Sequence, residues 1–162
     1  MRLRLGSFAL VLAFGGLLAS AALAQPPVKE PGASEPQEFA AGEVCPFPVL
    51  LESIGGNPSI TFFASGRFHV TGREVVRVTN LDTLESIELD TTGVITFRPL
   101  ADGNLAITGQ GRSLIYFLPQ DVGGPGLFLV TGRISEILDT ASDTITVADS
   151  RGQRLDVCAA LG

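Results

Sequence analysis

Tryptophan is missing from this 162-residue chain, and tyrosine, histidine and lysine occur once each, at Tyr116, His69 and Lys29. One histidine and two cysteines cannot assemble a histidine-based zinc site. With no lysine after residue 29, the rest of the chain lacks an amine nucleophile. A sugar site built on aromatic platforms would have only Tyr116 to add to the phenylalanines. No Gly-x-Ser-x-Gly elbow occurs, which argues against that form of serine hydrolysis. Positive charge is scarce too. After residue 24, 9 basic side chains face 17 acidic ones, a net charge of −8 that repels phosphate backbones and argues against nucleic acid as a partner. Beyond that point no apolar run approaches the roughly 18 residues of a membrane-crossing helix.

What is present first is an address. Arg2 and Arg4 precede an apolar run from Phe8 to Leu18, and Ala22-Leu23-Ala24 closes it with the small-x-small pattern of a cleavage site. Residues 1–24 are therefore expected to be an export signal, leaving a chain that starts near Gln25 and is secreted or held in the cell envelope. Residues 25–43 carry four prolines, four glutamates and almost no aliphatic side chains, the composition of a disordered spacer. Residues 44–162 suit one domain.

That domain reads as all-β. Val76 and Val78 alternate with Arg77 and Thr79. Ile87 with Leu89, Ile95 with Phe97, and Leu105 with Ile107 repeat the two-residue period. Turn residues at Leu81-Asp82-Thr83, Thr92-Gly93, Asp102-Gly103 and Ser150-Arg151-Gly152 divide the chain into about ten short strands. Short connections favour a single antiparallel domain closed as an up-and-down β-barrel, with a two-sheet β-sandwich as the alternative. Cys45 and Cys158, an even pair without metal-ligand spacing, are expected to form a disulfide that ties the ends of the domain together. A Thr-Gly echo at Thr71-Gly72, Thr108-Gly109 and Thr131-Gly132 is expected to mark strand ends.

One hairpin does not alternate. Leu114-Ile115-Tyr116-Phe117-Leu118 and Leu127-Phe128-Leu129-Val130 are apolar on both faces. With Leu114, Tyr116, Leu118, Leu127 and Leu129 inward, Ile115, Phe117, Phe128 and Val130 form a candidate interaction surface, which the Phe62-Phe63 pair could extend. The same pattern arises where strands lie at the centre of a sandwich or where the chain around Phe39 folds over them.

No catalytic or metal-binding residue and no cofactor emerges. His69 falls on the polar face of its strand. The turns at Asp139 to Asp143 and at Asn80 with Asp82 lack the dense oxygen ligands of a high-affinity calcium loop. Cys45-Pro46-Phe47-Pro48-Val49 and Asp156-Val157-Cys158-Ala159, with Gly66-Arg67 and Thr79-Asn80-Leu81 between them, resemble small exported bacterial proteins of unknown function. That resemblance implies an exported β-domain with a terminal disulfide, and no activity. The leading expectation is a non-enzymatic domain that binds a partner protein or self-associates through the hairpin. The second is a carrier of a small apolar ligand in a barrel interior lined by Phe97, Leu105, Ile107, Tyr116 and Leu129, and the third a hydrolase using paired carboxylates.

Overall fold

The computed structural model describes residues 26–32 and 34–162, so the export signal expected over residues 1–24 lies outside the described residues. Nine strands follow one another: β1 (Val28–Pro31), β2 (Gln37–Phe39), β3 (Val49–Gly56), β4 (Ser59–Phe62), β5 (Phe68–Asn80), β6 (Ser86–Pro99), β7 (Leu105–Phe117), β8 (Gly126–Asp139) and β9 (Thr144–Asp156). A five-residue helix, α1 (Val157–Leu161), follows β9. Asp156 starts the helix by accepting the Ala159 amide at 3.0 Å.

All pairings are antiparallel, in the order β1-β4-β5-β6-β7-β8-β9. The first half of β5 pairs β4 and the second half pairs β3, which in turn carries β2. The all-β meander expected from the alternation is present, but the sheet is open between β1 and β9, which corrects the closed barrel. The reason lies in β6 and β7. Their pairing stops at Thr92↔Arg112, leaving residues 86–91 and 113–117 unpaired with each other. There the sheet forks into two leaves. Leu51, Val76, Val78 and Leu89 of β3, β5 and β6 pack across one cluster against Leu127 and Leu129 of β8, with Leu114 and Tyr116 of β7 beside them. The sandwich alternative is thus realised locally, inside one hydrogen-bonded sheet.

Five glycines mark where the long strands bend. Gly72↔Gly93, Gly93↔Gly111, Gly111↔Gly132 and Gly132↔Gly152 are successive partners across β5 to β9. A Cβ on Gly132 would meet the Arg151 carbonyl oxygen and lie 3.0 Å from the Gly152 Cα, and φ is +136° at Gly132 and +127° at Gly152. Only glycine tolerates both the approach and the conformation. Thr92-Gly93 and Ser150-Arg151-Gly152 are therefore bends inside single strands and not the turns the sequence suggested, and the Thr-Gly echo lies mid-strand. Asp102-Gly103 does form a turn, with the Leu100 amide donating to the Asn104 carbonyl at 2.8 Å.

The Pro/Glu-rich stretch departs from a disordered spacer. Its two short strands pair β4 and β3, and Phe39 is 5% exposed, its ring 4.9 Å from that of Tyr116. One aromatic side chain supplies apolar burial that the average composition concealed. Cys45 and Cys158 are joined, Cα atoms 5.4 Å apart, linking the chain before β3 to α1. No helix among the described residues is long and apolar enough to cross a membrane.

Candidate functional site: a cleft and a smaller pocket

Bending along the glycine row leaves a cleft of about 430 Å³ between the two halves of the sheet. Its apolar lining comes from both sides of the bend. Ile60, Val70 and Ile95 stand on one side, and Leu51, Val76, Leu114 and Tyr116 on the other. Polar side chains, Gln37, Glu52, Glu74 and Arg112 among them, share the wall. The segment between β1 and β2 runs along it, where Ser34 donates from its amide to Glu74 Oε1 at 3.0 Å and Gln37 Nε2 donates to the Tyr116 hydroxyl at 3.4 Å. Gly32 fixes its path by donating to the Pro58 carbonyl at 3.0 Å.

A smaller pocket of about 210 Å³ shares Ile95, Ser113, Leu114 and Tyr116 with the cleft. Phe97, Ile107, Ile115, Ile134 and Ile145 supply most of its remaining wall. The β7 strand folds back here, so that a Cβ on Gly109 would lie 3.2 Å from Ser113 Oγ and 3.1 Å from Ile134 Cγ2. Glu136 also lines this pocket. It is 6% exposed as a residue and makes no side-chain hydrogen bond to the described residues, and its carboxyl oxygens keep some contact with solvent. Burial in apolar surroundings pushes its carboxyl up to about 7, with the negative charge of Asp121 adding to the effect.

Asp121 is buried in the loop between β7 and β8 and is fully engaged. One carboxylate oxygen accepts the Leu118 amide and the other the Ile145 amide, each at 2.6 Å. The Val122 amide donates to the Ile145 carbonyl at 3.0 Å. These bonds hold the loop after β7 against the first residues of β9, at the wall of the smaller pocket.

The candidate interaction surface is not an exposed patch. Phe117 is 2% and Val130 3% exposed, while Ile115 and Phe128 are half-buried. The Arg154 guanidinium lies 3.3 Å from the Phe128 ring centre and 5.8 Å from that of Phe117. One face of these strands joins the leaf-to-leaf cluster, and on the other Phe117 and Val130 are buried while Arg154 lies over Phe128. Phe62 lies elsewhere, 5.7 Å from the Phe68 ring, which stacks on Phe97 at 4.3 Å. Phe63 packs on His69 at 4.9 Å, with Arg67 over its ring.

Of the expected cavity lining, Phe97, Ile107 and Tyr116 meet around the smaller pocket. Leu129 belongs to the packed cluster instead, and Leu105 pairs with Pro99 and Leu138 outside both cavity walls. Glu136 was missed by sequence reasoning. The available signal was an acid two residues from Ile134 and two from Leu138, on the apolar period of β8. Asp139 accepts the Ala141 and Ser142 amides, which hold its carboxyl below the usual range, and Asn80 Oδ1 accepts the Asp82 amide at 3.0 Å. Both turns thus spend a side-chain oxygen, that of Asp139 or Asn80, on their own backbone. Among the described residues no group of three or more histidine, cysteine or acidic side chains is placed to hold a metal ion. No protein-family model, curated protein or solved structure matches this chain.

Proposed function

We propose that this protein is an exported β-domain that binds a small ligand with an apolar body and a polar end in the cleft beneath the glycine row. The observation that carries this reading is the cleft itself: about 430 Å³, with aliphatic lining from both halves of the bent sheet and polar side chains making up about half of its wall. Small-molecule sites have that size, and a mixed wall suits a ligand with both apolar and polar parts. Binding through the 114–130 hairpin, whether to a partner protein or to a second copy, loses support because Phe117 and Val130 are internal. The Cys45–Cys158 bond is compatible with an oxidising compartment, which supports secretion or residence in the envelope. Isolation of the chain with residues 1–24 still attached would count against export.

Glu136 favours a second reading, hydrolysis by carboxylates, since its raised titration suits a general acid beside a cavity. Paired-carboxylate chemistry requires a second free group, however, and both oxygens of Asp121 are occupied by backbone amides. Binding without turnover is therefore the preferred reading.

Titration with the neutral fluorescent probe N-phenyl-1-naphthylamine tests it. Saturable binding is expected, weakened by about tenfold or more, roughly 1.4 kcal/mol, in Val70→Phe, which fills the cleft. Ile60→Phe gives an independent check should the first variant fail to fold. Absence of saturable binding, or equal affinity in folded variants, would overturn the proposal.

A further inference from the structure

The smaller pocket sets one acid among apolar side chains. Isoleucine and phenylalanine supply about half of its lining, and Glu136, 6% exposed as a residue, stands among them with no side-chain hydrogen bond to the described residues while its oxygens keep some contact with solvent. An acid so largely withdrawn from water is costly to ionise unless a cation pairs with it. The charged neighbour that acts on it is Asp121, also negative, and the other polar side chains of the wall are Ser113 and Tyr116, neither of which brings positive charge. An anionic ligand would meet two acids. A neutral hydrocarbon would leave the carboxyl without a partner.

We propose that this pocket is a binding site for a small primary amine with an apolar body, whose ammonium group pairs with Glu136. The apolar body rests on Phe97, Ile107, Ile134 and Ile145, while the ammonium donates to the Glu136 carboxylate and Ser113 Oγ offers a further acceptor. Pairing offsets the desolvation of both charges. A volume of about 210 Å³ limits the ligand to a short alkyl or aryl amine. The net charge of −8 over residues 25–162 raises the local concentration of cations near the surface. This site does not depend on the cleft being occupied.

The test compares 2-phenylethylamine with 2-phenylethanol, which differ in charge and little in shape. Binding is followed through the methyl resonances of the full exported chain, with its disulfide intact. At about pH 8, where Glu136 is ionised and the amine protonated, the amine is expected to bind at least about tenfold more tightly than the alcohol. Its effects should centre on Ile107, Ile134 and Ile145. Glu136→Gln should remove at least that factor for the amine and leave the alcohol unchanged, and lowering the pH to about 5 should weaken the amine in the unmodified chain. Equal affinity for the two probes, undetectable binding of the amine, or unchanged affinity in Glu136→Gln would overturn the proposal. Shifts confined to Ile60 and Val70 would overturn it as well while supporting the cleft. Should Glu136→Gln fail to fold, the comparison of the two probes and of the two pH values in the unmodified chain decides the matter.

Discussion

Asp121 accepts the Ile145 amide at 2.6 Å across 24 residues, and through that bond the loop after β7 is fastened to the first turns of the β9 chain. Its other oxygen holds the Leu118 amide, so a single buried carboxylate closes the loop and its distant contact together. Asp121→Asn replaces one acceptor with a donor and strands one of the two amides. Hydrogen bonds to charged groups contribute about 1.5 to 3 kcal/mol, so a loss of about 2 kcal/mol in unfolding free energy is expected, with faster hydrogen exchange at Ile145. Exchange at the unmodified rate would show that the clasp does not hold the loop.

The Glu136 carboxyl gives stability a definite dependence on pH. Its folded value of about 7 lies above the ordinary 4.5, so between those values the folded chain retains a proton that the unfolded chain has released. Stability is therefore greatest below about pH 4.5 as far as this group is concerned, falls as pH rises toward 7, and levels off above it, a loss of about 3 kcal/mol. Urea unfolding at intervals of pH should show this slope in the unmodified chain, and Glu136→Gln should flatten it. An identical slope in the variant would assign the effect to other groups.

Gly132 and Gly103 separate two roles of glycine with positive φ. A methyl group at Gly132 would run into the neighbouring strand, whereas nothing lies within 4 Å of a Cβ built on Gly103 in the β6–β7 turn. Gly132→Ala is expected to cost about 3 kcal/mol or more, and Gly103→Ala about 1 kcal/mol from conformation alone. Thermal unfolding of the two variants side by side measures the difference. Equal losses would mean that close approach along the glycine row is not what forbids a side chain.

Phe39 brings the Pro/Glu-rich segment into the fold. Removing its ring in Phe39→Ala leaves a void against Tyr116 in the leaf-to-leaf cluster and should destabilise the protein by about 3 kcal/mol. A change below about 0.5 kcal/mol, the range of ordinary surface substitutions, would restore the view of this stretch as a spacer.

The strand class and the disulfide were legible because they rest on local evidence: alternation from Val76 to Ile107, and two cysteines at the ends of the domain. The dense apolar hairpin was legible in part, since strands without alternation signal burial on both faces as readily as an exposed patch. Gly93 and Gly152 misled for a non-local reason. A glycine in a turn and a glycine in a bend look alike in one strand, and what distinguishes Thr92-Gly93 from Asp102-Gly103 is the glycine opposite it on the next strand. Phe39 was hidden by averaging over its neighbours. Glu136 was hidden because an acid on an apolar period in a two-layer region signifies burial only once the facing layer is known.

Native mass spectrometry of the protein, recovered under non-reducing conditions from the cells that produce it, decides whether the bent sheet holds a small ligand. The expected spectrum shows the chain with one disulfide and an added mass of a small molecule that disappears on denaturation. A bare chain that also fails to take up N-phenyl-1-naphthylamine or 2-phenylethylamine would contradict ligand binding.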